Sequence, residues 1–130
     1  MSDREGALRF FRAAERDIAL LDADSTLNIP VEVFGFHAQQ AVEKLLMSWL
    51  CVYDFSFPNT HDLRHLSRLI GKRDTGIPLL LQDLLFLTEF AVEFRYSSYG
   101  ENNPPLDRSK ILGDLATLQA FIASTVENTE

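Results

Sequence analysis

The sequence predicts an all-α protein: an antiparallel up-and-down bundle of four long helices plus one short helix. Three observations carry that expectation. Apolar residues recur at three- and four-residue spacing through four long segments. Turn signals cut those segments apart after short or moderate loops, which is how antiparallel helical neighbours are joined. No segment shows the strict apolar–polar alternation of a half-buried strand.

Ser2 and Glu5 fit a capping box, and Leu8, Phe11, Ala14 or Glu15, Ile18, and Leu21 or Asp22 recur at helical spacing, so a first helix is expected from about Asp3 to Asp22. Arg9, Arg12, Arg16 and Asp17 are assigned to its outer face. The turn-rich "DADSTLNIP" ends in Pro30, which suits the first turn of a second helix over about Val31 to Val52, the longest of the set. Its inward stripe is Phe34, Ala38, Ala41 or Val42, Leu45, and Trp49 or Leu50. Asn59 or Thr60 is expected to cap a short third helix from His61 to about Ile70, with Gly71 as its stop. A fourth helix is expected from near Pro78 to about Ser97, with Leu80, Leu84, Leu87, Ala91 and Phe94 on its most buried line. "YGENNPPLD" breaks the chain, and Asp107 caps a last helix carrying Ile111, Leu115, Leu118 and Ile122.

Residues 1–130 read as a single domain, large enough to bury a core without disulfides or metal. Hydrophobic residues make up 46% and include 10 Phe, a globular composition. A net charge of −7, from 19 acids against 12 bases, argues against coating nucleic acid through a general positive field, so any RNA contact must be local. The start "MSDREGALRFF" lacks a basic, then apolar leader, and "IPLLLQDLLFL" is too short and too polar to span a bilayer. The expected location is cytoplasmic, with no membrane partner.

Cys51, the single cysteine, follows apolar residues without a local base and reads as a buried, inert thiol. No G-x-S-x-G, phosphate-binding glycine loop or dinucleotide fingerprint is present, and no cofactor is implied. His61 and His65 have the spacing of a metal pair, but no second ligand pair accompanies them, so no metal is expected. His37, Gln40 and Lys44 follow one another at three and four residues on a stripe beside the inward one, and Gln39 and Glu43 form a second polar pair. Pattern alone leaves two readings open, a solvated face or a site. Arg64, Arg68 and Lys72, with Arg73, form a basic stripe with the same two readings. Near the end of the fourth segment, "EFRYSSYG" brings Arg95 beside Tyr96 and Tyr99, a guanidinium with two stacking faces.

Three of these strings resemble the HEPN family, the small helical "higher eukaryotes and prokaryotes nucleotide-binding" domains. "FHAQQAVEKLL" resembles the signature on its second helix, "THDLRHL" the Thr-His-x-Leu start of its third, and "FRYSS" the Arg-Tyr end of its fourth. The resemblance covers roughly Ala7 to Ile122. It implies a bundle that forms a homodimer around a cleft and works in nucleotide- or RNA-linked systems. Many relatives are metal-independent RNases or partners of a small nucleotidyltransferase in toxin–antitoxin pairs. In the active RNases an Arg, usually followed by a polar residue, precedes a His by a few positions. Arg95 matches the Arg, but Tyr96 replaces the polar neighbour, and Gly100, Glu101 and Asn102 stand where His is expected. His is the side chain suited to proton transfer at neutral pH, so its absence makes binding better supported than catalysis. The expected binding set is Arg95, Tyr96, Tyr99, His37, Gln40 and Lys44, serving nucleotide or RNA phosphates. A metal-independent RNase with a non-standard site and a purely structural interaction bundle are the alternatives.

Overall fold

Asp3 accepts a hydrogen bond from the Gly6 backbone N–H (2.9 Å) and thereby caps α1 (Arg4–Asp22), taking the place expected for Ser2. The Asp3 N–H in turn donates to the carbonyl of Cys51 (2.9 Å), tying the start of α1 to the end of α3 (Val31–Val52). Ser48 Oγ, fully buried, donates to the Ala7 carbonyl at 2.7 Å further along the same seam. Residue numbers thus fall on one helix as they rise on the other, which makes the two antiparallel. A one-turn helix, α2 (Asp24–Leu27), fills the connection and ends on Asn28 at φ 52°, a left-handed position that Asn tolerates. The computed structural model describes residues 2–57, 59–91 and 105–129.

α3 is the axis of the molecule. Phe34, Ala38, Ala41, Val42, Leu45, Trp49 and Leu50 are all buried, as the expected stripe requires, and burial extends round most of the helix because α1, α6, α4 and a 3-10 segment all pack on it. It closes with Asp54 at φ 56°. The Asp54 N–H bonds to the Cys51 carbonyl and the Phe55 N–H to the Leu50 carbonyl (both 3.0 Å), a left-handed stop that here uses Asp instead of Gly.

The third helix, α4 (Leu63–Gly71), starts two residues later than expected. Asp62 caps it by accepting from the Arg64 N–H, while Thr60 sits one step outside and accepts from Asp62 N–H. The last helix, α6 (Arg108–Glu127), has the expected cap, Asp107 accepting from Lys110 N–H, and buries Ile111, Leu115, Leu118 and Ile122. Its first residue, Arg108, bonds to Asp24 and to the Ile29 carbonyl and lies 4.8 Å over the Phe34 ring. The start of α6 therefore sits beside the start of α3, in the parallel relation that an up-and-down bundle gives its second and last helices.

The expected fourth long helix differs most. The chain forms α5 (Gly76–Leu81), a turn at 82–84, and then a 3-10 helix, Leu85–Ala91. Its buried residues show why: Leu81, Leu84, Leu87 and Phe90 repeat every third position, the period of a 3-10 helix, while Leu80 is only half-buried. Leu84 N–H to Leu81 carbonyl and Leu87 N–H to Leu84 carbonyl supply the matching three-residue bonds. Thr88 Oγ1 accepts from the Leu63 N–H, anchoring this segment to the start of α4. Gly35 lets it lie against α3: a Cβ there would fall 2.2 Å from Phe90 Cδ1. Residues 92–104 lie outside the described part of the chain, and with them the rest of the expected fourth helix. The described chain is all-α, without strands, and has three long helices, α1, α3 and α6.

Candidate functional site

His37, Gln40 and Lys44 project from neighbouring turns of α3 toward α1, and the structure supplies a partner that the sequence reading put elsewhere. Asp17 is not on an outer face; it is 8% exposed, on the side of α1 that also buries Ala14, Ile18 and Leu21. His37 Nδ1 lies 2.8 Å from Asp17 Oδ1, and Lys44 Nζ donates to Asp17 Oδ2 at 2.7 Å. One carboxylate thus holds two bases from positions seven residues apart on α3. A carboxylate accepts, so His37 donates from Nδ1, and Nε2 has no protein partner among the described residues. The side chains of His37 and Lys44 remain 30% and 26% exposed, against 10% for Asp17. The bases are reachable from solvent and the acid between them is shielded. Beside His37 opens a hollow of about 170 Å³ lined by Glu32, Val33 and Phe36, with the Phe36 ring edge-on to the imidazole at 5.4 Å.

Gln40 belongs to a different chain of bonds. Its Nε2 donates to Gln39 Oε1 (2.7 Å), and Gln39 Nε2 donates to Glu43 Oε1 (3.2 Å) and to the His61 carbonyl (3.1 Å). His61 Nδ1 meets Glu43 Oε1 at 2.7 Å. Gln39 is fully buried and Glu43 nearly so, whereas His61 is exposed. This network ties α3 to the residues leading into α4. It uses Gln39 and Glu43 from one family-like string and His61 from another, so those strings meet in space as a structural clasp. His65 is half-buried one turn into α4, and among the described residues no group of three or more His, Cys, Asp or Glu is placed to hold a metal ion.

Arg95, Tyr96 and Tyr99, the other half of the expected set, lie outside the described residues. On α4, Arg64, Arg68 and Lys72 are exposed; Arg73 is drawn off that stripe and sits 4.9 Å over the Tyr53 ring and 5.7 Å over Phe55. Cys51 is buried, and burial, reinforced by Asp3, pushes its thiol up to about 11, so the thiolate is scarce at neutral pH. Two pairings were not foreseen from the sequence, Asp17 with His37 and Lys44, and Glu43 with His61. The first had a signal: a lone acid at the i+3 position of the apolar stripe Ala14, Ile18, Leu21. No described helix is long and apolar enough to cross a membrane.

The HEPN domain family model matches residues 5–125, nearly the whole chain. No curated relative and no solved structure matches the sequence. An all-α bundle whose three family-like strings fall in the expected order, together with a family match of that length, places the chain in the HEPN family.

Proposed function

We propose that the chain is a nucleotide- or RNA-associated binding and regulatory module, taking phosphate and base at the Asp17–His37–Lys44 cluster. The observation that supports this most is the convergence of Lys44 and His37, both partly exposed, on one shielded carboxylate. Asp17 fixes both bases in place, so little side-chain entropy remains to be lost on binding. Lys44 keeps N–H donors beyond the one given to Asp17. The hollow beside His37 has apolar walls, Val33 and Phe36, suited to a flat base, which leaves the Lys44 side for phosphate. Gln40 adds a polar group on the same stretch. By the family resemblance, Arg95 supplies the bidentate phosphate contact and Tyr96 or Tyr99 the stacking surface.

The module is proposed to act as a homodimer paired with a nucleotidyltransferase-type partner in a toxin–antitoxin-like system. Leu79, 74% exposed, and Phe86, 39% exposed, support a covered apolar face. Light scattering at tens of micromolar protein, with a strict monomer as the contrary result, tests the dimer. A nucleotidyltransferase gene next to this one supports the pairing.

The site is tested by titrating wild type, Arg95→Ala and Arg68→Ala with labelled RNA and with ATP, alongside thermal melts. Loss of a charge-assisted contact of about 1.5–3 kcal/mol predicts a roughly ten- to hundredfold weaker Arg95 variant and an unaffected Arg68 variant. Equal affinities with a destabilised Arg95 variant would sink the assignment. One observation favours the RNase alternative: with Nδ1 tied to Asp17, neutral His37 presents Nε2 as an acceptor able to take a 2′-hydroxyl proton. RNA cleavage that disappears in His37→Gln would establish it.

A further inference from the structure

Arg9, Arg12 and Arg16 lie on one side of α1, the helix face turned away from α3, and all three are exposed. They line a surface hollow of about 420 Å³ together with Glu5, Leu8 and Ala13. Of the other described bases four are engaged, while Arg4, Arg64, Arg68 and Lys72 stand exposed. Lys44 pairs with Asp17, Arg108 with Asp24, Lys110 with Asp83 and Asp114, and Arg73 lies on two aromatic rings. On α1 no ion pair joins these three guanidiniums to any described acid; Arg9 lies 5.8 Å from the Phe10 ring and near enough to Cys51 to act on its thiol. On a protein of net charge −7, three unpaired arginines facing one hollow form a local inversion of charge.

We infer that this face docks an acidic amphipathic helix from a partner protein. The helical rise puts Arg12 about 4.5 Å beyond Arg9 and Arg16 about 6 Å beyond Arg12 along the axis, the spacing at which acids at i, i+3 and i+7 of a facing helix stand. The hollow's apolar lining, Leu8 and Ala13, both half-buried, flanks the arginine row and receives the aliphatic residues of such a helix. Glu5 at one end sets the direction, since the partner's acids must lie toward Arg12 and Arg16 and a base or neutral residue toward Glu5. An RNA strand fits less well: its sugar-phosphate backbone has nothing to place on the apolar floor, the hollow offers no ring or amide for bases, and Glu5 repels phosphate. A second copy of the chain fits worst, because a two-fold axis through this face sets arginine against arginine.

The test uses a labelled helical peptide with Glu at i, i+3 and i+7 and Leu between, a scrambled peptide of the same composition, and an unlabelled RNA oligonucleotide as competitor. The ordered peptide should bind about tenfold more tightly than the scrambled one. Arg9→Glu/Arg12→Glu/Arg16→Glu should lose about tenfold or more, because three exposed ion pairs are replaced by like-charge contacts. Its melting temperature should stay near that of wild type, because the three side chains are exposed. Should the triple variant fail to fold, the ordered-against-scrambled comparison on wild type still decides. Equal binding of the two peptides, an unchanged triple variant, or displacement of the peptide by lower concentrations of RNA would each overturn the inference, the last assigning the face to nucleic acid.

Discussion

Two polar groups leave α3 on neighbouring stripes and come to different ends. In the first, Lys44 and His37 stay partly exposed around a shielded Asp17; in the second, Gln39 and Glu43 are enclosed and only the His61 ring reaches solvent, 58% exposed at its side chain. Their charges differ too. The first carries a cation, Lys44, beside its acid, whereas among the described residues Glu43 pairs with no Lys or Arg. The proposed anion contact therefore falls to the first group and not to the second. The comparison separates residues that look alike in sequence: equally spaced polar positions on one helix form a partly exposed cluster, the proposed binding surface, where their partner is a shared acid, and a clasp where their partner is the next segment of chain.

Glu43→Ala should have the largest effect on stability. It removes a buried acceptor from Gln39 and His61 and leaves a space, at a cost of about 3 kcal/mol. Denaturant unfolding should show that loss while RNA affinity of the folded fraction stays unchanged; a stable variant with lost affinity would reverse the roles of the two groups. Gly35→Ala sharpens the same comparison as a packing control. Its methyl would meet the Phe90 ring at 2.2 Å, so the 3-10 segment must shift, costing about 2 kcal/mol with neither polar group touched. Native-like stability in that variant would show the contact to be slack.

Much of this was legible in the chain. The limits of α3, its buried stripe and the Asp107 cap follow from periodicity and turn chemistry, because a long helix repeats its signal many times. The 3-10 segment was not legible: over "LLLQDLLFLTEF" eight of the twelve positions are apolar, and periods of 3.0 and 3.6 differ too little across so few turns to be told apart. The spacing of His37, Gln40 and Lys44 marked a common stripe, but spacing within one helix does not say which helix faces it. Asp17 became identifiable only once α1 was laid against α3, although its place on an apolar stripe was visible beforehand. Gln39 and Glu43 read as an ordinary polar pair because their true partner, His61, lies 22 and 18 positions away.

The smallest expected effect belongs to Cys51. Its folded thiol titrates near 11 against an ordinary 9.0, so the unfolded chain gives up its proton first as pH rises. Its contribution to stability is complete below pH 9 and declines toward 11. Cys51→Ala should flatten that alkaline decline and leave the acid side unchanged, as measured by melts across pH; an identical alkaline profile would show that the thiol does not contribute.

The separation of binding surface from clasp is tested most directly by RNA affinity in Asp17→Asn set beside Glu43→Gln, each charge removed with shape retained. Neutralising Asp17 frees positive charge at Lys44, which should outweigh the loss of one of the two hydrogen bonds Asp17 accepts and tighten binding by about three- to tenfold, equivalent to about 0.7–1.4 kcal/mol, with a modest loss of stability. Glu43→Gln should lower stability and leave the affinity within about twofold, as expected for a group that does not touch the ligand. Unchanged or weaker binding in Asp17→Asn together with altered binding in Glu43→Gln would contradict the account and move the site to the clasp.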